Sequence, residues 1–153
     1  PGVVTGSETM GESEEVGRTP KFPIGLTIRV MDEWDTVRVA ELLHDDPITL
    51  RDDFMVSLVA EWHDRVVAVL RGWLGHPHGH IEVFHVDMMA SPKQRITASV
   101  WLLRTFEGLL EGIGARGWTA MTHDDNHAMI RMLTTRGALA LPGSHQVFVR
   151  RWR

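Results

Sequence analysis

The chain has 153 residues, 43% of them apolar and 24% charged, with a net charge of −4 and a pI near 6.1. Such values fit one soluble globular domain and exclude a general electrostatic attraction to nucleic acid. The absence of cysteine excludes disulfides, Cys-ligated zinc and thiol catalysis, and the absence of tyrosine removes the phenol from every acid–base role.

Residues 1–24 are rich in Gly, Ser, Thr and Glu, with the acidic cluster Glu12, Glu14 and Glu15. Such a segment buries too little apolar surface to offset its ordering entropy, so its order is expected to come from contact with another chain or another copy. It carries no charged-then-apolar leader pattern, and no apolar run in the chain approaches the roughly 20 residues that span a bilayer. Residues 25–153 are expected to form one domain.

Alternation over residues 26–30 predicts a first strand, and Asp32 or Asp35 can start a helix through Val37, Ala40, Leu42 and Leu43. Residues 54–62 and 66–73 flank the polar turn His63-Asp64-Arg65 and read as a β-hairpin. The next strand, 81–88, has two mixed faces under strict alternation: Ile81, Val83, His85 and Asp87 on one, Glu82, Phe84, Val86 and Met88 on the other. A long helix follows, with Ile96, Val100, Leu103, Phe106, Leu110 and Ile113 at helical spacing. Ser91, Pro92 and Gln94 read as its N-cap, first residue and capping-box partner.

A strand at Trp118 leads to a helix that opens on Asn126, with Asp124 or Asp125 as capping candidates. That helix carries Met129, Ile130 and Leu133 as an apolar stripe and stops at Arg136-Gly137. Two strands, through Leu139 and residues 146–149, complete the order β-α-β-β-β-α-β-α-β-β. The fold class is α+β, a mixed, mostly antiparallel central sheet flanked by helices.

An Asn opening this helix and a Gly eleven residues later resemble the C-terminal motif of GNAT-type acyl-CoA N-acyltransferases, and the element order over residues 26–150 is similar to that fold. The resemblance implies that strand 81–88 splays from the next strand and that its backbone near Val86 and Met88 holds the acyl amide of acetyl-CoA. It further implies that Gln94, Arg95, Thr97, Ala98 and Ser99 lie at the pyrophosphate, beside a helix N-terminus whose dipole favours anions. Asn126 belongs to the same cofactor set, although a helix cap explains it equally well.

The sequence departs from the family pattern at two places. The phosphate loop has no glycine before Gly108, and Leu133 stands where the family often has a tyrosine that protonates the CoA thiolate. Candidates for the amine-deprotonating base are Glu82 and His85, with Asp87 and Glu61 also on the central strands.

His76, His78, His80 and His85 have a spacing that zinc or copper could use, but His76-Pro77-His78-Gly79 reads better as a polar turn. No metal is expected. Serines without a Gly-x-Ser-x-Gly elbow argue against a serine hydrolase. The terminal Arg150-Arg151-Trp152-Arg153 reads as a solvated basic end.

Two functions follow from the resemblance. One is an acetyl-CoA-dependent N-acyltransferase with an eroded pyrophosphate loop, in the cytoplasm. The other is a non-catalytic structural or interaction protein like the GNAT-like components of tailed-bacteriophage virions, needing no cofactor and contacting itself or other chains through residues 1–24.

Overall fold

The computed structural model describes residues 21–43, 53–123, 126–141 and 145–152. In chain order the elements are β1 (Leu26–Val30), a 3-10 turn (Glu33–Asp35), α1 (Thr36–Leu42), β2 (Val56–Trp62), β3 (Arg65–Trp73), β4 (Gly79–Val86) and α2 (Pro92–Gly112). They continue as β5 (Gly117–His123), α3 (His127–Thr135), β6 (Leu139–Leu141) and β7 (His145–Arg151). The expected order of strands and helices is observed. Most of the tail, and with it the expectation that another chain orders it, lies outside the described residues, as do Asp124 and Asp125.

Local chemistry accounts for the boundaries. The Asp32 side chain accepts from the Trp34 amide at 2.9 Å, starting the 3-10 turn that runs into α1. His63 and Asp64 both have left-handed φ, 48° and 65°, which suits a two-residue hairpin turn and lets β3 begin at Arg65. The capping box at α2 forms as expected, with Gln94 N–H donating to Ser91 Oγ and Ser91 N–H to Gln94 Oε1, both at 3.2 Å. Asn126 caps α3 by accepting from the Met129 amide at 3.2 Å, and Gly137, at φ 95°, ends that region in a conformation that disfavours a side chain.

The strands form one seven-stranded sheet in the order β1-β2-β3-β4-β5-β7-β6. Every neighbouring pair is antiparallel except β4–β5, which is parallel. α2 lies on one face over the main core, where Trp101, Leu102, Leu103, Phe106 and Leu110 meet Leu58, Leu70, Ile81 and Trp118. Burying each of these large side chains contributes about 1.5–3 kcal/mol before entropy is counted. α1 covers a smaller core of Val39, Leu42, Val59, Val69 and Val83 on the opposite face.

Two expectations need correction. Ile96 and Ile113, placed by periodicity on the buried stripe of α2, are 59% and 49% exposed, because the face turned to the sheet is centred on Ala98, Trp101, Leu102 and Phe106. Strict alternation also fails on β4. Arg71 pairs with Val83 and Gly72 with Ile81, so Glu82 is an extra residue in a β-bulge. The bulge sends Ile81 into the α2 core and Val83 into the α1 core, and returns Phe84 and Val86 to the α2 side.

Candidate active site

β4 and β5 are joined by only a few residues. Gly79 pairs with Trp118, His80 with Thr119 and Ile81 with Ala120, and there the pairing ends. Beyond it β4 continues as far as Val86 against β3 alone, so its other edge opens into a wedge between two parallel strands. Trp118 lies at the closed end, fully buried and donating its indole N–H to Glu107 of α2 at 2.8 Å. Phe84 and Val86, half-buried, extend the apolar surface along the α2 side of the open part. Trp101 of α2 is fully buried in the same core. Its ring packs edge-on against Phe22, ahead of β1, at 5.0 Å.

At the open end, the loop between β4 and α2 is tied down from several sides. The Asp87 amide donates to Val67 O at 2.7 Å, and its carboxylate accepts from Met89 N–H at 2.8 Å and from Arg38 Nη2 at 2.6 Å. Burial pushes the Asp87 carboxyl up, but the Met89 amide and the Arg38 guanidinium outweigh it and hold it below the usual carboxylate range. Arg95 Nη1 donates to the carbonyls of Met88 at 3.0 Å and Ala90 at 2.8 Å. Met89, 91% exposed, and Met88 project from this loop.

The residues expected at a pyrophosphate are therefore placed as follows. Gln94 is engaged in the capping box and Arg95 in the loop carbonyls. Thr97 and Ala98 are buried, and Ser99, also buried, donates its hydroxyl to Arg95 O at 2.7 Å. Lys93 is exposed at the N-terminus of the helix. The Val86 and Met88 backbones lie on the strand and loop that border the wedge, and the Asn126 side chain is engaged as the α3 cap. Leu133 is 1% exposed, inside the main core.

On the face opposite α2, where the pairing of β4 with β5 ends, a polar chain crosses from one strand to the other. His80 Nδ1 lies 2.9 Å from Thr119 Oγ1 on β5, and its Nε2 lies 3.1 Å from Glu82 Oε1. The His80 ring is stacked on Trp73 of β3, with centroids 6.1 Å apart and planes inclined by 21°. Trp73 in turn meets Phe54 at 5.1 Å, and Arg71 lies over the Phe54 ring. His85 sits opposite Val69, on the α1 side of the sheet. Of the two base candidates, Glu82 stands at the bulge where the wedge begins, and His85 lies farther along β4.

Sequence reasoning missed His80 and Thr119 as members of this cluster, and Arg38 as the anchor of the loop. His80 and Glu82 are two apart on a strand, a spacing that was legible. Thr119 and Arg38 reach the site only through tertiary pairing. Among the described residues no group of three or more His, Cys, Asp or Glu could hold a metal ion, and no helix is long and apolar enough to cross a membrane.

No protein-family model matches the sequence, and no curated protein matches it. Solved structures do match in shape. The PaiA N-acetyltransferase of Thermoplasma acidophilum, in complex with coenzyme A, superposes with a TM-score of 0.70 at 10% identity, covering 84% of this chain and all of that one. A ribosomal L7/L12 α-N-protein acetyltransferase in complex with coenzyme A gives 0.66 at 12% identity, covering 85% and 96%. An acetyltransferase of Salmonella typhimurium with acetyl-CoA gives 0.63 at 16% identity, covering 84% and 95%. With the splayed β4–β5 pair, these likenesses establish the fold as that of the GNAT acetyltransferases.

Proposed function

We propose that this chain is an acetyl-CoA-dependent N-acyltransferase that seats the thioester in the wedge between β4 and β5 and uses Glu82 as the base. The observation that carries this reading is the coincidence of two features at one point of β4. Pairing with β5 stops after Ile81, and the next residue is a bulged, solvent-reaching carboxylate. Structural neighbours that hold coenzyme A or acetyl-CoA support the choice of donor.

The residues fit such a donor unevenly. The open edge of β4 offers backbone N–H and C=O groups with no partner strand beyond Ile81, suited to an extended amide chain laid alongside it. Phe84 and Val86 supply apolar surface below. The diphosphate end is poorer, because Ser91 already takes the Gln94 amide and Arg95 Nη1 is committed to two carbonyls, while Lys93 is exposed beside them. Binding in about the micromolar-to-millimolar range is expected, equivalent to about 4–8 kcal/mol.

Bound acetyl-CoA would supply an activated acyl carbon: a C–N bond to the acceptor amine forms, the C–S bond breaks, and CoA leaves as its thiolate. Glu82, on the face away from α2, takes the amine proton. A backbone amide of the unpaired β4 edge donates to the developing oxyanion. With Leu133 buried, no phenol protonates the thiolate, a good leaving group without one. Glu82→Gln should lower kcat by about 10²–10⁴-fold with little change in KM for acetyl-CoA. Wild-type turnover in that variant would remove Glu82 from the role.

A second reading is favoured by the capped α2 N-terminus and the buried Leu133: a non-catalytic structural or interaction protein, such as a bacteriophage virion component, with residues 1–24 as the contact to other chains. Titration calorimetry separates the two. No heat and no thermal shift at millimolar acetyl-CoA would leave only the second.

A further inference from the structure

We propose that His80 and Thr119 are positioning residues for Glu82. Thr119 anchors one ring nitrogen of His80, and the other ring nitrogen holds the Glu82 carboxylate aimed at the mouth of the wedge. The role given to Glu82 rests on the acyltransferase reading above; the hydrogen-bond chain itself does not.

The His80 ring is constrained on three sides. It is paired through the backbone with Trp73 on one strand and Thr119 on the other. Its plane lies against the Trp73 indole, Nδ1 is within hydrogen-bond distance of the Thr119 hydroxyl, and Nε2 is within hydrogen-bond distance of Glu82. A carboxylate only accepts, so Nε2 must carry the hydrogen when Glu82 is ionised. Neutral imidazole then presents a lone pair at Nδ1, and the Thr119 hydroxyl, free to rotate, donates to it. The chain runs Thr119 O–H to His80 Nδ1, then His80 Nε2–H to Glu82.

This order has a consequence for catalysis. The His80 and Glu82 side chains are 34% and 35% exposed, enough for water to reach them and for an unrestrained carboxylate to sample several rotamers. A donor fixed to two strands of the sheet confines that carboxylate to the point where β4 leaves β5. Thr119 acts at one remove, by holding the ring through Nδ1 so that Nε2 stays directed at the carboxylate.

The substitutions separate these roles. His80→Gln replaces Nε2–H by an amide N–H of similar reach, His80→Ala removes it, Thr119→Ser keeps the hydroxyl and Thr119→Val removes it. With acetyl-CoA as donor, thiol release would be followed against spermidine, free lysine and a peptide α-amine.

His80→Ala should lower kcat by about tenfold to a hundredfold with KM for acetyl-CoA and the thermal midpoint little changed. His80→Gln should recover most of that loss, and Thr119→Val should lose activity that Thr119→Ser keeps. Imidazole ¹⁵N NMR, with the His80 signals assigned by their loss in His80→Gln, should show the Nε2–H tautomer in the wild type and a mixture in Glu82→Gln, whose amide can accept or donate. His80→Ala turning over like wild type while Glu82→Gln is inactive would overturn the proposal and leave Glu82 as the base. Wild-type activity in Glu82→Gln would instead remove the base assignment. Rapid averaging of both His80 tautomers in the wild-type spectrum would overturn the proposal whatever the turnover.

Discussion

Asp87→Asn is the sharpest probe of how the wedge is held open at its outer end. The Asp87 carboxylate, on a residue only 8% exposed, joins α1 to the β4–α2 loop through Arg38 at 2.6 Å and Met89 at 2.8 Å, with Arg65 at 3.9 Å. Asparagine preserves the shape, the backbone bonds and the acceptor for Met89, so the loss isolates the charge-assisted bond to Arg38. Arg38 keeps Val66 O at 3.0 Å and Glu41 at 3.3 Å, so the cost falls below the 3–5 kcal/mol typical of orphaning a fully buried ion. About 2 kcal/mol is expected, the middle of the range for hydrogen bonds to charged groups. With a urea m-value of about 2 kcal/mol/M, the midpoint should drop by about 1 M at pH 7 with m unchanged.

The dependence on pH has a fixed sign. The native carboxyl titrates below its usual value, so the folded state binds fewer protons and Asp87 stabilises it fully above the unfolded pKa, near about 3.9. That contribution is lost as pH falls through the lower native pKa, so the gap between wild type and variant should close as pH falls below about 4. A midpoint within about 0.3 M of wild type at pH 7, or a gap that stays constant down to that acid range, would refute the assignment.

Other outcomes follow from burial and close approach. Leu133→Tyr should not restore an acid to the site: the position is 1% exposed in the main core, so overpacking should cost about 1–3 kcal/mol, read as a lower thermal midpoint with no gain in kcat. Gly72→Ala should destabilise the β3–β4 pair by about 3 kcal/mol or more, because the new Cβ would press against the His80 carbonyl oxygen at 2.1 Å. Chemical denaturation showing less than about 1 kcal/mol would mean that the bulge relaxes freely.

The fold was legible because its signals are local. Asn126 and Gly137 bracket α3, Ser91 and Gln94 cap α2, and His63-Asp64 turns the hairpin, each through bonds within a few residues. The site was legible only in part. Glu82 was one of four carboxylate or imidazole candidates on the central strands, none singled out by spacing, and nothing in its neighbours announces the bulge, which arises from how β4 pairs with β3. Periodicity assumed a regular strand and so put Ile81 and Val83 on one face. The same limit hid Thr119 and Arg38, which are 39 and 49 residues from the partners they bind. Ile96 misled for a different reason, since helical spacing allowed more than one stripe and the buried one is centred on Ala98, Trp101 and Leu102.

Bulge and wedge act together. An extra residue in β4 increases local twist and rotates the strand beyond it. Here the bulge at Glu82 immediately follows Ile81, where the parallel pairing ends. The structural step that frees an edge for an extended amide also turns a carboxylate toward the opposite face, beside a histidine anchored to both neighbouring strands. Donor and acceptor would thus meet from opposite sides of the sheet. On the proposed acyltransferase reading, donor affinity would depend separately on the start of α2, where Ser91 caps Gln94 and Arg95 holds two loop carbonyls.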